Sequence, residues 1–205
     1  MPDLRPQIVA ADARQFRGKL ARPSRRGRRR TAIVASFVVA LGLTCCAVAA
    51  PAAGTAAEQP TVVLPLQRSV MKQLNAVRRQ HGLLPLRVAA GLAAAAREHS
   101  LEMARFGYFS HSSAGGESFA RRIARFYRMG KRRHWAAGEN LYWSSGEPDA
   151  YAAVGAWLQS PEHRATLLRR DWREFGIGAV FVSAGPGIYG GAPVTIVTAD
   201  FGARG

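Results

Sequence analysis

A single acidic residue stands inside an apolar segment near the middle of the chain. Residues 138–143, Gly-Glu-Asn-Leu-Tyr-Trp, place the carboxylate of Glu139 among large apolar side chains. A carboxylate that loses its hydration needs a cationic, hydrogen-bonding or metallic partner inside the fold. His111 and His163 lie on either side of this segment along the chain and are candidates for that partner. The sequence therefore predicts that these three residues meet in one site.

The first 57 residues have the layout of an export signal. The basic segment 24–30, Ser-Arg-Arg-Gly-Arg-Arg-Arg, precedes nineteen uncharged residues, 32–50. The small residues towards the end of this part are typical of a signal cleavage site. The alternative is an uncleaved anchor, because a spanning helix needs roughly 20 apolar residues. In both cases the arginines stay on the cytoplasmic side of the membrane, so we expect the domain to be exported, periplasmic or extracellular. If the signal is not cut, residues 32–50 would anchor the domain to the membrane.

The chain is therefore expected to have three parts. Residues 1–57 are the signal or anchor, residues 58–65 are a linker, and residues 66–205 are the folded domain. The only cysteines, Cys45 and Cys46, lie in the apolar segment, so the folded domain has no disulfide and must be stable through its core alone.

The chain carries a formal net charge of +16, half of it in the first part. Residues 1–57 hold ten Lys and Arg against two acids, and residues 58–205 hold nineteen against eleven. Seven basic residues crowd into 121–133 and form a candidate anion-binding surface for a lipid or an anionic polymer of the envelope: Arg121, Arg122, Arg125, Arg128, Lys131, Arg132 and Arg133. A solvated helix face is the alternative. We see no interleaved base-stacking pattern, so nucleic acid is not expected as a partner, and membrane contact is expected only through an uncleaved N-terminal segment.

Hydrophobic periodicity predicts helices in the first half of the domain and strands towards its end. A first helix ends before Gly82, and a second runs over 88–106 with Gly107 as its stop. A third helix follows residue 118, a strand covers 138–143, a fourth helix surrounds Trp157, and strands cover 175–182 and 194–201. This order indicates an α+β domain. The stripe that the second helix is expected to bury comprises Leu92, Ala96, His99, Met103 and Phe106.

Two histidines have different interpretations in this pattern. His99 lies on an apolar stripe, so we interpret it as a hydrogen-bonded core histidine rather than a ligand. His163 follows Ser160 and Pro161, which are typical of a helix start, with Ser160 as the N-cap. Together with His111 and Glu139 it would supply two nitrogens and one carboxylate, the ligand type of some catalytic zinc sites. The alternative is that both histidines only hydrogen-bond Glu139.

Four short motifs in a fixed order resemble the CAP superfamily, also called SCP, and in particular its short, cysteine-poor bacterial branch. They are Phe-Ser-His at 109–111, Gly-Glu-Asn-Leu at 138–141, Trp157 with Ser-Pro-Glu-His-Arg at 160–164, and Gly-Ile-Gly at 176–178. The resemblance implies a three-layer α-β-α sandwich with a central, mainly antiparallel sheet. It also implies a cleft with two histidines and two acids that sometimes holds a divalent metal.

Carried over to this chain, His111 and His163 match the two histidines and Glu139 matches one acid of the cleft. Ser160 stands where members from eukaryotes have the second acid, so the set is incomplete here. A divalent metal, zinc before others, is the expected cofactor, and the fold does not require it. Near the end of the chain, Ala199 replaces the glutamine of the family's Thr-Gln-x-Phe strand.

Two classes of function follow from these residues. The first is an extracytoplasmic ligand-binding or envelope-associated module with a metal-capable His/Glu cleft. The alternative is a divalent-metal-dependent hydrolase acting on peptide, lipid or cell-wall substrates, with Glu162 or Glu117 as general base. A metal-free variant would use Ser110 or Ser112 as nucleophile, but neither lies on a recognisable nucleophile turn. Glu117 is also expected to stabilise the start of the third helix.

Overall fold

The computed structural model describes residues 7–10, 59–128, 135–146 and 149–205. A mainly antiparallel sheet forms its middle layer. The strands lie in the order β1 (Gln7–Ala10), β4 (Trp135–Ser144), β6 (Val194–Arg204), β5 (Glu174–Val182) and β2 (Thr61–Val62), and β3 (Arg87–Val88) pairs in parallel with β5. All other pairings are antiparallel.

Helices cover both faces of this sheet. One face carries α1 (Leu64–Gln80), α4 (Ala150–Gln159) and α5 (Pro161–Leu167), and the other carries α2 (Ala90–Phe106) and α3 (Phe119–Phe126). Successive residues of a strand point to opposite faces, so each strand contributes to both apolar cores. The predicted α+β class and its three-layer α-β-α arrangement are confirmed.

The helices follow the predicted periodicity closely. Val70 and Leu74 of α1 are fully buried, and α2 ends at Gly107, whose φ of 66° is in the left-handed region that glycine adopts without strain. Phe106 was predicted to be buried, and this is wrong, because its side chain is 66% exposed. The chain turns away at Gly107, whose carbonyl accepts from the amide of Ile188, and Phe106 is left on the outside of the last turn.

Parts of the chain ahead of residue 66 also belong to the sheet. Strand β2 falls within the segment 58–65, as do the first two residues of α1, and β1 falls within residues 1–57. The division of the chain into a signal, a linker and a domain stays a prediction. No helix of the described residues is long and apolar enough to span a bilayer. The apolar segment 32–50, with Cys45 and Cys46, lies outside the described residues.

A very close contact between two layers runs along two glycines of β5. A Cβ on Gly176 would stand 2.0 Å from the backbone nitrogen of Ala93, and a Cβ on Gly178 would stand 2.3 Å from the carbonyl oxygen of Ala96. A glycine has no side chain, so it lets another backbone approach closely. The structure shows that the backbone of α2 lies directly on them.

This contact leads to a paired test of packing. Gly178→Ala should lower the free energy of unfolding by about 3 kcal/mol or more, because its methyl group meets backbone atoms that cannot move aside. Gly155→Ala is the matched control: Gly155 lies in α4, and a Cβ there meets nothing within 4 Å. It should raise stability by about 0.5–1 kcal/mol through helix propensity. Urea unfolding measures both, and equal effects would contradict the packing described.

Candidate functional site

Glu139 lies in β4 and is fully buried on the face covered by α2 and α3. Its Oε1 lies 2.7 Å from His111 Nδ1, and its Oε2 forms an ion pair with Arg122 Nη2. Burial alone would raise the pKa of Glu139, but the Arg122 guanidinium and the hydrogen bond from His111 lower that pKa to about 2. Since an ionised carboxylate only accepts, the His111 Nδ1–H is the donor in this bond. Both carboxylate oxygens are therefore engaged by protein groups.

Arg122 was predicted to belong to the surface patch, and this is wrong, because its side chain is completely buried. It precedes Ile123 on α3, on the edge of the helix that faces the sheet, and the charge of Glu139 offsets part of its desolvation. Its Nη1 also donates to the carbonyl oxygen of His111 at 3.0 Å and to Ser113 Oγ at 3.2 Å. One guanidinium thus joins α3, the sheet and the loop of residues 107–118.

The rest of the predicted basic surface is divided. Arg121 and Arg128 are exposed at α3 and just after it. Arg125 pairs with Glu98 at 2.6 Å and with Glu117 at 3.2 Å, so part of its charge is neutralised. Lys131, Arg132 and Arg133 lie outside the described residues. Anion binding by this surface stays a prediction.

The loop of residues 107–118 is also held from α2. His99 is fully buried, and burial lowers its pKa, so the neutral imidazole donates from Nε2 to the carbonyl oxygen of Ser110 at 2.8 Å. The interpretation of His99 as a hydrogen-bonded core residue is confirmed. Glu102 accepts from Tyr108 Oη at 2.7 Å and from the amide of Ala114 at 3.1 Å. These contacts fix the backbone on both sides of His111, whose side chain is 14% exposed.

A second buried acid lies beside Glu139. Asp200 of β6 is its direct partner in the antiparallel register, and both residues have no exposed surface. Burial and the neighbouring carboxylate of Glu139 raise the pKa of Asp200 well above its ordinary value, and Arg122 offsets only part of this effect. The neutral, protonated acid is therefore the favoured form of Asp200. The cluster of Arg122, Glu139 and Asp200 carries one positive and one negative charge.

His163 occupies the third position of α5, as predicted, and is 3% exposed. Its Nδ1 lies 2.7 Å from Ser160 Oγ, and its carbonyl oxygen accepts from Asn140 Nδ2 at 3.0 Å. Ser160 is at the N-cap position, but its hydroxyl contacts this imidazole and makes no side-chain capping bond. Asn140 and Glu139 are consecutive in β4, so they tie the strand to α5 on one face and to His111 on the other.

The other candidate residues lie in different surroundings. Glu162 is exposed on α5, and Glu117 is paired with Arg125. Ser110 Oγ accepts from the amide of Ser112 at 3.2 Å, a local contact within the loop. Within the described part of the chain, no three side chains of His, Cys, Asp or Glu are grouped so as to hold a metal ion. Metal binding by His111, Glu139 and His163 stays a prediction.

Sequence reasoning missed two members of the buried cluster. Asp200 was assigned only to a strand, although the alternation of 194, 196, 198 and 200 on one face of β6 places it inside. Arg122 was grouped with its basic neighbours. The helical spacing from Phe119 to Ile123 would have put it at the inner edge of α3, because residues three apart on a helix are neighbours.

Comparisons with known proteins agree on one family. The model of the cysteine-rich secretory protein family, CAP, matches residues 71–201. The chain is 30% identical over 126 residues to the uncharacterized protein YkwD of Bacillus subtilis, covering 62% of this chain and 47% of that protein. It is 33% identical over 112 residues to the uncharacterized membrane protein YlbC of the same species, covering 55% and 31%. The chain thus spans less than half the length of these curated relatives.

Two solved structures share the fold. An outer surface protein of Borrelia burgdorferi superposes with a TM-score of 0.58 at 18% identity, covering 72% of this chain and 99% of that one. An extracellular protein containing an SCP domain from Bacillus anthracis superposes with a TM-score of 0.52 at 26% identity, covering 69% and 41%.

The buried ion pair gives a direct stability prediction. Glu139→Gln leaves the guanidinium of Arg122 buried without its counter-charge, so the free energy of unfolding should fall by about 3–5 kcal/mol. Glu98→Gln is the matched control, since it breaks an exposed pair with Arg125 and should cost less than about 1 kcal/mol. Chemical denaturation at pH 7 compares the two, and equal losses would contradict the buried pair.

Asp200 gives a prediction of pH dependence. A carboxyl whose pKa is raised by folding binds its proton more tightly in the folded state. The stability of the fold should therefore fall as the pH rises above 3.8, the ordinary pKa of an aspartate carboxyl. Asp200→Asn removes this effect. At pH 7 the variant should be as stable as the wild type or more stable, and its advantage should shrink towards pH 4. Urea unfolding between pH 4 and pH 8 measures the difference, and a large loss of stability at pH 7 would show that the charged form is needed.

Proposed function

The chain belongs to the cysteine-rich secretory protein (CAP) family, and from this premise we propose that it is an exported envelope protein that binds an anionic ligand at the cleft beside His111. By this cleft we mean the surroundings of His111, to which the loop of residues 107–118, α3 and β4 contribute. Export is supported by the signal-like layout of residues 1–57 and by the similarity to an extracellular SCP-domain protein.

The engagement of both Glu139 oxygens carries the proposal that the cleft binds rather than hydrolyses. The hydrolase alternative needs Glu139 as a metal ligand and Glu162 or Glu117 as the general base. Glu139 directs its oxygens to His111 and Arg122 instead. Glu117 is paired with Arg125, and Glu162 is exposed on α5, which covers the other face of the sheet. His111, held by Glu139 through one ring nitrogen, is the part of this network that reaches solvent. A rigid, partly exposed imidazole suits recognition of a ligand.

The charge around the cleft supports an anionic ligand. Helix α3 directs Arg122 inward to Glu139, while Arg121 and Arg128 are exposed. Residues 58–205 carry eight more basic than acidic residues, so the domain attracts anions over a range set by the salt concentration. An anionic polymer of the envelope with repeated phosphates would engage several of these arginines at once. A single small anion would engage fewer.

Charge reversal at α3 tests this proposal. In the full chain, Arg121→Glu with Arg128→Glu should weaken binding of a labelled polyglycerol phosphate about tenfold or more, measured by fluorescence anisotropy at low salt. Arg68→Glu with Arg79→Glu is the matched control, since it makes the same change of charge on exposed positions of α1, across the sheet.

The outcomes separate the alternatives. Equal losses for the two pairs would show attraction by net charge alone and overturn a site at α3. His111→Ala should also weaken binding. If it leaves binding unchanged while the α3 reversal abolishes it, the surface binds the polymer without the cleft. Binding of phosphatidylglycerol vesicles but not of the polymer would replace the proposed ligand with a lipid.

A further inference from the structure

We infer that Arg122 is a built-in cation that takes the place of a divalent metal beside Glu139, and that its removal converts His111, Glu139 and Asp200 into a metal site. The inference concerns the charge inside the cleft, so it does not depend on which ligand the cleft binds.

The acidic part of this cluster has the composition of a metal site but not the grouping of one, since Glu139 turns one oxygen to Arg122 instead of towards a point shared with His111 and Asp200. Glu139 and Asp200 are direct partners across β4 and β6, which brings the Cβ atoms of such a pair to about 5 Å. His111 adds an imidazole whose Nδ1 lies 2.7 Å from Glu139 Oε1. One histidine with two carboxylates is a donor set that zinc accepts. Two carboxyl groups this deeply buried need a cation or a proton near them.

Arg122 supplies that cation from the protein itself. Its guanidinium stays charged at any ordinary pH, and it is held by Glu139, the carbonyl oxygen of His111 and Ser113 Oγ. A divalent ion that approached Glu139 would meet this fixed positive charge at short range. It would also have to displace the hydrogen bond from His111. As the structure arranges them, the acids already have their counter-charge, so we expect the wild-type cleft to bind zinc poorly.

The structure keeps Arg122 from moving aside. The whole side chain is buried, and its Nη1 also fixes the loop that carries His111. Arg125, one turn further along α3, is half exposed and pairs with surface acids instead. The two arginines therefore share a helix and a charge and differ in whether they reach the cluster. This makes Arg125 a matched control.

Zinc titration calorimetry on the full chain tests the inference. All proteins carry Cys45→Ser and Cys46→Ser, because thiolates bind zinc on their own. The wild-type cleft and Arg125→Met should show no saturable binding that depends on His111. Arg122→Met should show one-to-one binding at least tenfold tighter than either, and adding His111→Ala to it should abolish the gain. One-to-one binding by the wild type that is lost in His111→Ala would overturn the inference.

A second measurement covers the case in which Arg122→Met is poorly folded without metal. A metal that replaces the guanidinium binds the folded state and raises the thermal midpoint. Zinc should therefore raise the midpoint of Arg122→Met, or restore its cooperative unfolding, and should fail to do so once His111→Ala is added. Arg122→Lys keeps a cation at this position and should gain no zinc affinity. If zinc neither binds nor stabilises Arg122→Met, the inference is wrong.

Discussion

The ion pair between Arg122 and Glu139 is the contact on which the site depends. Both side chains are removed from water, which costs several kcal/mol per ion, and the attraction within the pair together with further hydrogen bonds offsets this cost. Glu139 is partnered by Arg122 and His111, and Arg122 by Glu139, the His111 carbonyl and Ser113. The pair therefore requires α3, β4 and the loop of residues 107–118 to be in place together. Loss of α3 would leave Glu139 buried without its counter-charge, and loss of the loop would remove the hydrogen bonds that His111 and Ser113 add to the pair.

The glycines of β5 explain why the acids are so deeply buried. Gly176 is the register partner of Asp200, which is in turn the partner of Glu139, so the three residues lie side by side on one face of the sheet. Because Gly176 has no side chain, the backbone of α2 at Leu92 and Ala93 comes down onto the sheet beside Asp200. This close approach excludes water from the acids. The raised pKa of Asp200 is therefore a consequence of how tightly the helix layer packs on the sheet.

Much of the fold could be predicted from the sequence because its signals are local. Neighbouring residues determine the apolar stripes of α1 and α2 and the end of α2 at Gly107. The absence of a side chain determines the close approach at Gly176 and Gly178. His99 was assigned correctly for the same reason, since its apolar neighbours define its surroundings. The prediction for Phe106 failed because the last turn of a helix follows the stripe but no longer faces the sheet.

The cluster at the site depends on pairings that no local signal carries. Arg122 and Asp200 are 78 positions apart, and their meeting depends on the register of β4 with β6 and on the position of α3. A run of basic residues also looks the same in sequence whether one member turns inward or all stay outside. The His111–Glu139 contact was anticipated because a buried acid needs a donor. The sequence did not reveal that Arg122 is the cation that pairs with Glu139.

The charge beside His111 follows from two separate features of this chain. The negative charge of Glu139 is balanced by Arg122, and Asp200 keeps its proton. Each feature removes one negative charge that a cation would need. A site without excess negative charge would favour the anionic ligand that we propose over a divalent metal, so the proposed function and the further inference rest on the same balance of charge.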